Sequence, residues 1–257
     1  MTSTQESSGP AWSSQDLEKS PHDHAEKAPR VQSMFNAIAH AYDINNRLHS
    51  FGRDQAWRRR AVRLMEVGAT DHVLDVACGT GDLSEAFQKA GVERVVGLDY
   101  TSGMLDIARR KSQRMPDDRR PEYVQGDAMA LPYESESFDV VSIAFGIRNV
   151  AEPDLAFSEF ARVLRPGGRL VVLEFAEPRN RLLRWGNDLY TRRIMPFTAS
   201  LIARDRSGAY RYLPKSIQTF LDPESLGQRI SAAGFDVSRQ VRMTFGVCVA
   251  TVAVRKP

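Results

Sequence analysis

Two cysteines among 257 residues are too few for a disulfide framework. Cys78 lies in a glycine-rich turn and Cys248 in a late apolar run, so a reducing cytoplasm is the expected compartment. Long apolar runs are missing as well. The longest spans Phe245 to Val254, about half of what a bilayer-spanning helix needs. The first residues lack the charged-then-apolar pattern of a secretory signal. Charge of one sign is scarce: 35 Lys and Arg face 32 Asp and Glu, a formal net charge of +3. That balance gives no ground for a nucleic-acid partner. Five scattered histidines and two distant cysteines offer no ligand spacing, so no metal is expected. What is present is ordinary for a soluble globular chain: 42% hydrophobic and 26% charged residues, long enough for one substantial core.

The chain is organised around Val73-Leu-Asp-Val-Ala-Cys-Gly-Thr-Gly-Asp82. An apolar run reads as a buried strand, ends in Gly79-x-Gly81, and passes at once into a helix carrying Asp82, Leu83 and Phe87. Such a turn puts backbone N–H groups at the mouth of an α/β sheet, where ligands bind. A dinucleotide fingerprint would place a third glycine at 84; here Ser84 stands there. Asp82, directly after the turn, would repel a pyrophosphate. A cofactor without phosphate, S-adenosylmethionine, suits the loop better. Asp99 ends the next apolar run, about twenty residues past the turn, where a carboxylate accepts ribose hydroxyls. Asp127 ends a third run, where a carboxylate can take the adenine amine. Both aspartates also suit the caps of the helices that follow them.

Residues 1–28 are rich in Ser, Pro, Gln and charge and read as a disordered tail. Order is expected from 29 to 257. Val31, Met34, Phe35, Ile38 and Tyr42 form one helical stripe, followed by a polar, turn-rich stretch from Asp43 to Gly52. A second helix runs from Asp54 to Val67, with Arg58, Arg59, Arg60 and Arg63 partly outward; solvent or anionic lipid headgroups would receive them. Then α/β alternation is regular: strand to Ala77, helix 82–90, strand 93–99, helix 102–115, strand 122–126, strand Phe138–Phe145. A helix from Pro153 is stopped by Pro166-Gly167-Gly168, and Arg169 to Phe175 is the fifth strand. Between 177 and 214 an apolar, basic insertion follows, with Trp185, Tyr190, Ile194, Met195, Phe197, Leu201 and Ile202 among Arg179, Arg181, Arg184, Arg192, Arg193 and Arg204. It reads as ordinary core under a cap, or as a lid that takes a greasy substrate from a membrane surface. A helix from Pro223 to Ala233 and a hairpin, Phe235–Arg242 and Phe245–Val254, close the chain.

Phe145-Gly-Ile-Arg-Asn-Val150 and Arg162-Val-Leu-Arg-Pro-Gly-Gly-Arg169-Leu-Val-Val-Leu-Glu-Phe175 resemble the quinone C-methyltransferases of menaquinone and ubiquinone biosynthesis. Tyr42-Asp-x-x-Asn46, Ser50-Phe-Gly52, Trp57-Arg58, Asp205-x-x-x-x-Tyr210-Arg-Tyr212-Leu and Ala233-Gly-Phe235 match too. The Arg-Pro-Gly-Gly element is common to many methyltransferases; Phe-Gly-Ile-Arg-Asn is far more specific. The resemblance covers Val31 to the C-terminus. It implies a Rossmann-like class I fold, a seven-stranded, mostly parallel sheet with its last strand antiparallel and helices on both faces. It implies cofactor contacts from Thr80, Asp99, Asp127 and Ala128, which join Asp75, Gly79 and Gly81 as the candidate binding set. Ala144 stands where several relatives carry a serine.

Methylating a quinol ring carbon requires phenolate character there. A free phenol has a pKa near ~10, so roughly a thousandth ionises at neutral pH. Arg148, just past the fourth strand, is placed to stabilise the oxyanion, or to help activate a proton-accepting water as the resemblance implies. A salt bridge to Asp205 or Asp43 is its structural alternative. Asn149 can orient a hydroxyl, and Tyr42 can close over the site. His49 could serve as a base, though the family motif does not require it. The substrate implied is a prenylated quinol at the membrane, demethylmenaquinol first, a methoxy-polyprenyl-benzoquinol or another sterol or phenol next. Oligomer formation stays open. A nicotinamide dehydrogenase conflicts with Ser84 and Asp82. A nucleic-acid amino-methyltransferase would show Asn/Asp-Pro-Pro-aromatic where Phe145–Asn149 stands. A non-catalytic cofactor-binding protein is the remaining alternative.

Overall fold

The computed structural model describes residues 10–13, 15–18, 20–24, 26–203 and 207–257. Helices α1 (Lys27–His49) and α2 (Arg53–Met65) precede the alternating core. That core comprises β1 (His72–Val76), α3 (Asp82–Lys89), β2 (Arg94–Asp99), α4 (Ser102–Ser112), β3 (Glu122–Gln125), β4 (Phe138–Ala144), α5 (Pro153–Val163) and β5 (Leu164–Phe175). After it come α6 (Arg181–Leu189), a π turn (Tyr190–Ile194), α7 (Met195–Ala203), α8 (Ala209–Thr219), α9 (Pro223–Ala232), β6 (Phe235–Met243) and β7 (Cys248–Arg255).

The seven strands order as β3-β2-β1-β4-β5-β7-β6. β1 pairs in parallel with both β2 and β4, so the chain leaves it in opposite directions on its two sides. That reversal opens a crevice at the carboxyl ends of the strands, where Gly79, Asp99 and Asp127 follow. β7 is antiparallel to β5 and β6, and this is the seven-stranded class I methyltransferase sheet.

Alternation along each strand feeds two cores. Leu74, Val76 and Leu98 pack with Phe157 and Phe160 of α5 and Leu226 and Ile230 of α9. Val73, Val95 and Val171 pack on the other face with Trp57 and Met65 of α2 and Leu83 and Phe87 of α3.

Four expectations differ from the structure. The stretch after Tyr42 is not a turn: α1 continues to His49. Its polar residues have distant partners, which local patterning does not reveal: Asp43 accepts from Thr80 Oγ1, and Asn45 Nδ2 donates to the Tyr210 hydroxyl. Arg58 faces inward, buried and 3.1 Å from Asp54, whereas Arg59 and Arg60 are exposed. β5 starts at Leu164, so Pro166, Gly167 and Gly168 lie inside it at a register shift against β4. Within the stretch read as a tail, Trp12 is completely buried. It joins Val31, Met34, Ile38 and Tyr212 in a third apolar cluster.

Candidate active site

The glycine turn is held by its neighbours. Gly79 has φ +56 and Gly81 φ +83, conformations that favour glycine. A Cβ on Gly81 would also sit 2.2 Å from the Tyr123 hydroxyl. Gly79 N–H donates to Asp99 Oδ2 at 2.8 Å, and Thr101 N–H to Asp99 Oδ1 at 2.8 Å. Burial pushes the Asp99 carboxyl up, against these backbone bonds that pull it down. Asp127 Oδ1 accepts from Met129 N–H at 2.9 Å.

A cleft lies over these strand ends. Gly79, Asp99, Asp127, Ala128, Tyr42 and Asn149 line it, together with apolar Val31, Leu98, Met104 and Phe145. Among the described residues, no Lys, Arg or His lines it. Three of the expected cofactor residues sit behind the wall. Asp75 is buried in β1, where it accepts from Ser84 Oγ at 2.6 Å and Ser142 Oγ at 2.8 Å. Burial pushes its carboxyl up to about 6, with those two hydroxyls pulling it back. Thr80 is buried against Asp43, and Gly81 turns under Tyr123.

Asp82 does not stand bare beside the turn. Arg47 of α1 reaches it at 3.0 Å and Lys111 of α4 at 2.6 Å, while Gln55 Nε2 donates to it at 2.9 Å. Although burial opposes it, the charges of Arg58, Lys111 and Arg47 bring Asp82 down to about 2. Lys111 also meets Asp43 at 3.0 Å, so α1 is clasped to the glycine turn.

A second cavity adjoins the first, and Tyr42 and Phe145 line both. Its walls carry Trp57, Phe175, Tyr190, Met195, Leu213 and Ile217, with His49, Arg58 and Arg148 among them. Arg148 sits in a 3-10 turn (Ile147–Asn149) just past β4. Asp43 and Asp205 are its expected partners. Asp43 is taken by Lys111 and Thr80, and Asp205 lies outside the described residues. Arg148 Nη1 instead donates to Glu174 Oε1 and to the Phe145 carbonyl, each at 2.7 Å. Local pattern does not single out Glu174, which hides in an apolar strand motif, although a buried charge in such a run needs a partner. Asn149 Oδ1 accepts from the Tyr212 hydroxyl at 2.9 Å. Burial pushes the Tyr42 phenol up, so it stays a protonated donor. His49 is engaged on both ring nitrogens, with the Asn45 carbonyl and Thr198 Oγ1 at 2.8 Å each.

The described residues contain no group of three or more His, Cys, Asp or Glu able to hold a metal, and Cys78 and Cys248 are free thiols. The arrangement is therefore a polar-rimmed cleft at strand ends opening to an apolar cavity with a buried guanidinium.

The chain is 46% identical to the demethylmenaquinone methyltransferase of Thermus thermophilus, over 86% of this chain and all of that protein. It is 42% identical to the ubiquinone/menaquinone biosynthesis C-methyltransferase UbiE of Dinoroseobacter shibae, over 86% of this chain and 89% of that one. Among solved structures, magnesium protoporphyrin IX methyltransferase from Synechocystis, with bound SAM, superposes with a TM-score of 0.63 at 17% identity, covering 91% of this chain and 99% of that one. The profile of the ubiE/COQ5 methyltransferase family matches residues 23–255, and the chain belongs to that family.

Proposed function

We propose that this enzyme methylates a ring carbon of a prenylated quinol, demethylmenaquinol before a methoxy-polyprenyl-benzoquinol. The methyl donor is S-adenosylmethionine. When bound, it supplies a methyl group made electrophilic by a sulfonium. The observation that carries this reading is a cleft rimmed by Asp99 and Asp127, with no Lys, Arg or His among its described lining residues, joined through Tyr42 and Phe145 to an apolar cavity holding Arg148. Such a cleft repels phosphate and accepts a neutral nucleoside beside a positive centre. Each carboxylate has about four lone-pair sites. Backbone N–H groups of Gly79, Thr101 and Tyr100 occupy three on Asp99 and that of Met129 occupies one on Asp127, which leaves acceptors for a ribose hydroxyl and for an adenine amine.

On the acceptor side, Arg148 keeps its positive charge at the wall and stabilises the developing quinol oxyanion. Tyr42 closes the boundary between the cavities, and Asn149, on the donor-cleft side of that boundary, orients a hydroxyl. The aromatic and aliphatic walls take the rings and the first prenyl units.

The same reading includes contact with a membrane surface. No helix among the described residues is long and apolar enough to cross a membrane. Yet Leu182, Trp185, Phe197 and Phe51 are each more than half exposed, around elements that line the apolar cavity. Arg181, Arg184 and Arg193 lie exposed among them. Apolar anchors with basic neighbours suit an anionic lipid interface.

The test supplies labelled S-adenosylmethionine with demethylmenaquinol and a methoxy-polyprenyl-benzoquinol in separate vesicles of anionic lipid. Label in the naphthoquinol alone supports the menaquinone assignment, and label in both extends it to the second quinol. Label in neither, with donor binding intact, defeats the quinol reading. Failure of the protein to sediment with the vesicles defeats the membrane contact.

A further inference from the structure

Trp12 lies outside the family match, which begins at residue 23. It is nevertheless one of the largest fully buried side chains of the molecule. Its ring stacks on Tyr212 with centroids 4.7 Å apart and planes 27° from parallel. Its backbone N–H donates to the Ser207 carbonyl at 3.0 Å. Beside it, Gly208 adopts φ +85, and a Cβ there would meet the Trp12 carbonyl oxygen at 2.2 Å. The backbone of the 207–208 turn is thus shaped around Trp12.

The segment is tied down on its other side by α1. Arg30 Nη1 donates to the Ala11 carbonyl at 3.2 Å and meets Asp16 at 3.1 Å. The Arg30 guanidinium also lies 5.8 Å from the Trp12 ring centre. Asp16 in turn accepts from Ser13 N–H at 2.8 Å and Ser13 Oγ at 2.6 Å. These contacts form a closed strap across α1 and α8.

The strap leads to the active site through one side chain. The Tyr212 hydroxyl donates to Asn149 Oδ1 at 2.9 Å, and Asn149 lines the donor cleft next to Arg148. That bond fixes which way the Asn149 amide points: oxygen toward Tyr212, nitrogen toward the Phe145 carbonyl at 3.4 Å. Tyr212 is itself wholly buried, so its hydroxyl holds position only while its ring is packed on both faces.

We infer that the N-terminal segment carrying Ala11, Trp12, Ser13 and Asp16 is a strap that positions Asn149 through Tyr212, with Trp12 as the positioning residue. Trp12 touches neither cleft; it acts by keeping Tyr212 seated. The kinetic readout rests on the methyl-transfer reading above; the exchange readout below does not.

The experiment compares Trp12→Ala, Trp12→Phe, Tyr212→Phe and the Trp12→Ala/Tyr212→Phe pair in the full chain. Methyl transfer is measured together with hydrogen exchange of the 146–150 backbone. Trp12→Ala should lower kcat by about three- to a hundredfold, the range for coupled neighbours, and raise the donor KM, because Asn149 lines the donor cleft. Trp12→Phe, which keeps a stacked ring, should restore most of kcat. In the Tyr212→Phe background, Trp12→Ala should cost nothing further in kcat. Exchange at 146–150 should quicken in Trp12→Ala. Should that variant not fold, Trp12→Leu carries the same comparison. Wild-type kcat in Trp12→Ala, or an undiminished loss in the Tyr212→Phe background, overturns the strap. So does unchanged exchange at 146–150, whether or not any quinol is methylated.

Discussion

Arg148 and Glu174 meet at 2.7 Å with both residues only 3% exposed. The pair joins the turn after β4 to the end of β5, and it sets the guanidinium in the wall of the apolar cavity. Burial pushes the Glu174 carboxyl up, and Arg148 is the largest influence pulling it back. A charge buried this deeply persists because its partner is buried with it.

Replacing Arg148 by Ala removes the proposed oxyanion donor. Turnover should fall by ~10²–10³, while donor affinity stays near wild type, because Arg148 lines the other cavity. Arg148→Lys retains the charge but not the fork and should recover only part of the activity. Steady-state kinetics with calorimetric donor binding checks both. Near-wild-type turnover in Arg148→Ala removes the residue from the mechanism.

Asp99→Ala should act on donor binding. It deletes the acceptor of Gly79 N–H and of Thr101 N–H, so both the cleft wall and the turn lose support. Hydrogen bonds to a charged group are worth about 1.5–3 kcal/mol, which is roughly tenfold to a hundredfold in Kd. Equilibrium binding of S-adenosylmethionine measures it. An unchanged Kd excludes Asp99 from the site.

The Asp82 clasp has a pH signature. Its carboxyl is held at about 2 in the folded chain, against 3.8 as the ordinary value. A lowered carboxylate stabilises the fold above its unfolded pKa and loses that contribution as pH falls through the folded one. Asp82→Asn should therefore cost about 2 kcal/mol at neutral pH. The difference from wild type should shrink between pH 3.8 and about 2. Urea unfolding across that range tests it, and a difference independent of pH contradicts it.

Asp75 gives the opposite sign. Its carboxyl rises to about 6, so ionising it costs the folded chain more than the unfolded one. Wild-type stability should fall as pH climbs from 3.8 through about 6. Asp75→Asn, which can still bond Ser84 and Ser142, should lack that slope. Equal slopes in both proteins would place the titration elsewhere.

Much of this was readable in the chain. Strands ending in Gly79, Asp99 and Asp127 announce a cleft, because a parallel sheet brings successive strand ends to one edge. The Phe145–Asn149 motif places Arg148 next to that edge. What local pattern cannot carry is pairing across the fold. α1 looks broken after Tyr42 until Thr80 and Lys111 arrive to pair with Asp43, and Tyr210 to accept from Asn45 Nδ2. Glu174 looks like a lapse in an apolar strand until Arg148 faces it. Trp12 stands outside any periodic pattern, and its burial is explained by Val31, Met34, Ile38 and Tyr212, which lie far from it in the chain.

The proposed reaction is methyl transfer to a quinol carbon, with Arg148 stabilising the oxyanion. The most direct measurement is the mass and ring position of label after a single turnover of wild type and Arg148→Ala on demethylmenaquinol, both saturated with labelled donor. Label on the ring carbon with wild type, and a rate at least ~10²-fold lower with the variant, is the predicted result. Label on a quinol oxygen, or equal single-turnover rates in the two proteins, would contradict it.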